Sequence, residues 1–92
     1  MIFSFACHDT EALFNNHLPR RFKNIERVAR RKLLQLNAAT VLHSLRVPPG
    51  NQLEMLKGNR GGQHSIRIND PWRVCFIWKA DGAHQVEIVD DH

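Results

Sequence analysis

The chain has no tyrosine, only two cysteines, and no apolar run near the roughly 20 residues that a membrane-spanning helix needs. Cys7 and Cys75 are far apart and belong to no C-x-x-C pair, which excludes a zinc ribbon and a thioredoxin-like motif and predicts two reduced, partly buried thiols. No metal and no cofactor are expected. The opening M-I-F-S-F-A-C-H-D lacks the basic stretch and long apolar core of a secretory signal, so a cytoplasmic protein without membrane association is predicted. There is no internal repeat, low-complexity segment or linker, and 92 residues close one modest core. Residues 1–92 are therefore read as one domain.

What the chain does have is positive charge, unevenly placed. A net charge of +4 and a pI near 9.7 favour a polyanionic partner. Arg20, Arg21, Lys23, Arg27, Arg30, Arg31 and Lys32 are seven of its 13 lysines and arginines. They fall on and just before a predicted helix that Asn24 is placed to cap, running to about Ala38, with Ile25, Val28, Ala29, Leu33 and Leu36 as its apolar stripe. A shorter helix is expected over E-A-L-F-N-N, Glu11–Asn16, after the cap-forming His8, Asp9 and Thr10.

After the Val47-Pro48-Pro49-Gly50 break the pattern becomes β. Strands are expected over 51–56, 62–68, 72–79 and 84–89, joined by hairpin-length turns into an antiparallel meander, with Ile2–Phe5 adding a further strand. The fold class is α+β: two N-terminal helices packed on one face of a largely antiparallel four- to five-stranded sheet. Residues two apart in a strand share a face. Trp72, Val74, Phe76 and Trp78 then point to the core, as do Ile66, Ile68, Val86 and Ile88. Ser65, Arg67, Arg73, Cys75, Ile77, Glu87 and Val89 point to the open face, with Arg67 and Arg73 as neighbours.

Two clusters carry chemistry. Lys57 and Arg60 lie in L-K-G-N-R-G-G, and Arg73 in P-W-R-V-C-F-I-W, while Asp90, Asp91 and His92 close the sequence with two carboxylates and an imidazole. Proton-transfer groups beside fixed cations suit phosphodiester chemistry, with RNA as the natural target. Blander readings stand beside this one. A histidine near a terminus is usually just solvated, Arg73 is as readily a structural partner of Asp70 or Glu87, and K-G-N-R-G-G is an ordinary hairpin turn that lacks the ending and following helix of a P-loop. Adjacent side chains on an extended tail alternate in direction, so Asp90, Asp91 and His92 make a poor metal site.

Taken in order, M-I-F-S-F, the basic second helix, L-K-G-N-R, W-R-V and the closing V-D-D-H resemble the HigB toxins of the RelE superfamily, over the whole chain. The resemblance implies a RelE-like fold and a type II toxin: a ribosome-dependent mRNA endonuclease that works in the ribosomal A site and is neutralised by a cognate helix-turn-helix, HigA-like antitoxin. Operator DNA would be reached only through that antitoxin. Two departures stand out. Glu54 and Met55 occupy positions where relatives often read His-Pro, and Asp91 stands where they commonly have tyrosine. Slower or differently selective cleavage is expected from both.

By this resemblance the 2′-hydroxyl of RNA is the nucleophile, no metal is required, and the products are a 2′,3′-cyclic phosphate and a 5′-hydroxyl. Arg73 and Lys57 are assigned to the charge that develops on the phosphorane oxygens. Asp90 or His92 takes the 2′-hydroxyl proton, and His92 or a ribosomal group donates to the leaving oxygen; Glu54 and Asp91 are further catalytic candidates. Arg20, Arg21, Lys23, Arg27, Arg30, Arg31, Arg60 and Arg67 are assigned to RNA phosphates. The competing reading is a non-catalytic RNA- or ribosome-binding inhibitor that blocks translation by occupancy.

Overall fold

The computed structural model describes residues 1–90. Helix α1 spans His8–Phe14 and helix α2 spans Glu26–Ala38; strands β1 (Glu54–Met55), β2 (His64–Asn69), β3 (Trp72–Lys79) and β4 (Gly82–Asp90) follow as an antiparallel sheet in sequential order. The α+β expectation holds. The N-terminal residues complete the sheet as a further, parallel edge beside β4, with Ile2 opposite Ala83 and Phe5 opposite Val86.

The way α1 docks explains how that edge ends. Backbone bonds from Phe3 to Ala83 and from Ala6 to Val86, at 2.8 and 3.0 Å, hold the N-terminal segment to β4. Beyond Ala6 the chain turns into α1, and the next outward amide of β4, that of Ile88, donates instead to the buried Thr10 hydroxyl at 2.9 Å. A side chain thus replaces a strand where the strand runs out, and a buried amide keeps its partner. Thr10 is inside α1 and Cys7 is its N-cap, so Thr10 does not cap the helix as the sequence suggested.

Leu13, Phe22, Ala29, Leu33 and Leu36 from the helical half meet Ile66, Val74, Phe76, Val86 and Ile88 from the sheet, all with no solvent exposure. Trp72 and Trp78 pack against this core, as the alternation predicts. Burial of each of the leucine, isoleucine, valine and phenylalanine side chains stabilises by about 1.5–3 kcal/mol, so this face cannot be opened cheaply.

Three local expectations are corrected. Asn24 does not cap α2: Ile25 is the N-cap residue, no side-chain bond is made there, and Arg20–Phe22 form a separate 3₁₀ turn. The strand expected over 51–56 is only Glu54–Met55, because Pro49–Asn51 close a 3₁₀ turn and Gln52 adopts the left-handed conformation. Lys32 does not join the basic face. It is 7% exposed and donates to Asn51 Oδ1 in the interior.

Candidate functional site

The open face of the sheet carries a groove of about 220 Å³. Leu56, Cys75 and Val89 form its apolar lining, and Lys57, Asn59, Arg60 and Arg73 its polar lining. Arg73, Cys75 and Val89 reach it by strand alternation, since Arg73 and Val89 are directly paired across β3 and β4. Lys57 and Arg60 reach it through the turn at Gly58–Arg60, where Gly58 has φ +67, a region that favours glycine. The turn sequence and the strand pattern, read separately, meet at one site.

Arg73 is held from three directions. Its Nε donates to Ser65 Oγ at 2.7 Å, one terminal nitrogen donates to the carbonyl of Gln52 at 3.0 Å, and the same nitrogen lies 3.4 Å from Glu54 Oε1. Only 13% of its side chain is exposed, whereas Glu54 is 56% exposed. The partners expected for Arg73 serve other arginines. Glu87 pairs with Arg60 at 3.3 Å, where Gln63 also accepts at 3.2 Å, and Asp70 pairs with Arg67 at 3.2 Å.

Arg67 and Arg73 are paired across β2 and β3, as predicted, and like charges so placed repel. The Asp70 carboxylate offsets this by drawing Arg67 toward the hairpin end. Its pKa falls below the usual carboxylate value, first through the hydrogen bond from Arg67 and then through the charge of Arg67, with a smaller contribution from Arg73.

Asp90 does not share the face of Arg73. It is paired with Trp72, and alternation along β4 gives it the parity of Ile88, while Val89 faces the groove. Asp91 and His92 lie outside the described residues. The structure therefore brings Lys57, Arg60 and Arg73 together, with Glu54 and Arg67 in contact or in register with Arg73, and places Asp90 at the rim of the opposite face.

The basic segment is on the helix side, behind the sheet. Arg20, Lys23, Arg27 and Arg31 are exposed. Arg21 lies 3.7 Å from Asp9 and over the Phe22 ring, and Arg30 bonds Asn16 Oδ1 and the His17 carbonyl at 2.9 Å each besides pairing with Glu26 at 3.1 Å. Arg21 thus ties the segment before α2 to α1, and Arg30 ties the loop at Asn16 and His17 to α2. A second hollow of about 420 Å³ at the β1 edge is lined by Leu42, His43, Arg46 and Leu53 together with Glu54, Met55 and His64; it is larger but less densely cationic than the groove.

Sequence reasoning placed Ser65 and Cys75 on the open face without giving either a role. Ser65 carried a signal, its parity with Arg73 on the adjacent strand. Gln52 carried none, because what it offers is a backbone carbonyl.

Two comparisons bear on this site. The family model for the RelE-like toxin of the type II toxin-antitoxin system HigB matches residues 5–92. Toxin HigB-1 of Vibrio cholerae is 44% identical over 69 residues, covering 75% of this chain and 72% of that protein. An uncharacterized protein of Haemophilus influenzae is 38% identical over 56 residues, covering 61% of this chain and 54% of that one.

Proposed function

The chain belongs to the HigB-like toxins, RelE-like toxins of type II toxin-antitoxin systems, and on that premise we propose that it is an endoribonuclease that cuts mRNA in the ribosomal A site and so arrests translation. A toxin of this type has an antitoxin partner; a helix-turn-helix, HigA-like protein is the partner proposed here, with operator DNA reached through it. The observation that carries the reading is the gathering of Lys57, Arg60 and Arg73 around one groove on the open face.

The chemistry follows from what RNA supplies. Its 2′-hydroxyl attacks the adjacent phosphorus, the P–O5′ bond breaks, and a 2′,3′-cyclic phosphate and a 5′-hydroxyl result. One proton leaves the 2′-oxygen and one reaches the 5′-oxygen. Between these events negative charge grows on the non-bridging oxygens, where Arg73 and Lys57 would act as fixed counter-charges. Preorganised donors in a water-poor groove stabilise such charge better than mobile solvent does. His92 is assigned to proton transfer, with Asp90 as its carboxylate partner or as the base; the rim position of Asp90 suits a role through another group better than direct contact with a phosphate at Arg73. Glu54 is less suited to accept the proton while it neutralises Arg73.

Arg20, Lys23, Arg27 and Arg31 would hold phosphates of ribosomal RNA behind the sheet, contacts that position without reading sequence. No helix among the described residues is long and apolar enough to cross a membrane, and a cytoplasmic site of action is proposed. Primer extension on a translated message after brief expression tests the enzyme directly. New 5′ ends are expected, and they should vanish in Arg73→Ala and His92→Ala. Translation arrest without new ends would instead favour inhibition by occupancy, and cutting of naked RNA as fast as ribosome-bound RNA would remove the ribosome from the mechanism.

A further inference from the structure

We propose that Ser65 is a positioning residue that, together with the main chain of Gln52, fixes the Arg73 guanidinium in the orientation needed to receive an RNA phosphate. The proposal rests on reading the groove as the site of that phosphate. Two separate features of the fold converge on Arg73. Ser65 is fully buried, and its hydroxyl accepts from Arg73 Nε at 2.7 Å. Its surroundings on the open face include Cys75, its pairing partner on β3, so packing alone would be served by alanine. The hydroxyl earns its place through the arginine.

Gln52 is the second feature. It has φ 46 and ψ 53, a left-handed conformation that residues other than glycine adopt only where the surroundings impose it. That turn aims the Gln52 carbonyl at Arg73 at 3.0 Å. A guanidinium has five donors in a rigid plane. Anchoring Nε on one side and a terminal nitrogen on another fixes that plane, and the remaining donors are left for the groove and for Glu54, the exposed carboxylate that a phosphate would displace. An arginine fixed before binding loses little freedom when the phosphate arrives.

The test uses the purified toxin and Ser65→Ala, a change that a small buried site tolerates. Cleavage of ribosome-bound mRNA is expected to slow by about 10- to 100-fold at saturation, with the half-saturating ribosome concentration changed by less than about twofold. In an Arg73→Lys background the same change should cost less than about twofold more, since the group it positions is gone. Independently of catalysis, the Arg73 Nε–H resonance should shift on titration with inorganic phosphate, and Ser65→Ala should need several-fold more phosphate for the same shift. A wild-type protein that does not cleave would remove the endonuclease reading, and the phosphate titration would still decide the role of Ser65. Equal phosphate response in wild type and Ser65→Ala, or fully additive losses in the double variant, would overturn the proposal.

Discussion

Lys32 donates its ammonium to the side-chain oxygen of Asn51 inside the protein, and the Asn51 amide in turn donates to the carbonyls of Leu45 and Val47 at 3.0 and 3.3 Å and to Gln35 Oε1 at 3.2 Å. One asparagine thus joins α2 to the 3₁₀ turns Leu42–Arg46 and Pro49–Asn51 that lead into β1, and so sets where Gln52 and Glu54 stand beside Arg73.

Asn51→Ala should remove about 3 kcal/mol of stability, because it takes the acceptor from the buried Lys32 ammonium and the side-chain donor from the Leu45 carbonyl. Urea unfolding measures the loss. Burial, aided by the nearby charge of Arg31, lowers the pKa of Lys32 from its ordinary 10.5. In the window between the lowered value and 10.5 the unfolded chain keeps a proton that the folded one has released, so stability rises with pH there. Lys32→Met should abolish that alkaline rise, as urea midpoints across the window would show.

The basic face divides into anchors and exposed charges. Arg30→Ala should cost about 1–2 kcal/mol, since it abandons Asn16, the His17 carbonyl and Glu26. Arg27→Ala should change stability by less than about 0.5 kcal/mol. It should instead weaken ribosome binding and make the log–log salt dependence shallower by about 0.7–0.9 for each phosphate that the side chain no longer neutralises. Binding titrations at several salt concentrations separate the two variants.

Gly82 packs closely against the N-terminal edge beside β4. A Cβ there would sit 2.4 Å from the Met1 carbonyl oxygen, and the residue has φ +142. Gly82→Ala should therefore cost about 2 kcal/mol. Hydrogen exchange at the Ala83 amide, bonded to that same oxygen at 2.9 Å, should quicken with it.

By the resemblance drawn from the sequence, Glu54 and Asp91 are expected where HigB toxins often carry histidine and tyrosine, and Glu54 lies 3.4 Å from the Arg73 guanidinium. Replacing the pair by Glu54→His and Asp91→Tyr should raise the rate of mRNA cleavage by about tenfold or more. Single-turnover kinetics on one ribosome complex gives the comparison, and an unchanged rate would deny either residue an effect on the proposed cleavage.

Elements whose identity rests on side-chain period were legible in the sequence. The strand Trp72–Lys79 has the expected bounds, its inward set is in the core, and Arg67 and Arg73 face each other as expected. What depended on specific partners was not legible. Asn24 has cap chemistry but lies one residue ahead of the N-cap position, and Lys32 was counted with the basic face because charge alone does not reveal a buried amide waiting for it. For Arg73 the sequence offered Asp70 and Glu87, whereas the partners found are Ser65 on the adjacent β2, the Gln52 carbonyl of a distant turn and Glu54 on β1. Asp90 was grouped with the groove by its neighbours in sequence, yet one step along a strand reverses the direction of a side chain.

The sheet stands between the groove cations and the exposed arginines of the helical side. A partner gripping both must bend around the rim, or two separate strands must approach from front and back. Each surface can then change its affinity through evolution without disturbing the other, much as the two sides of a wall can be repainted independently.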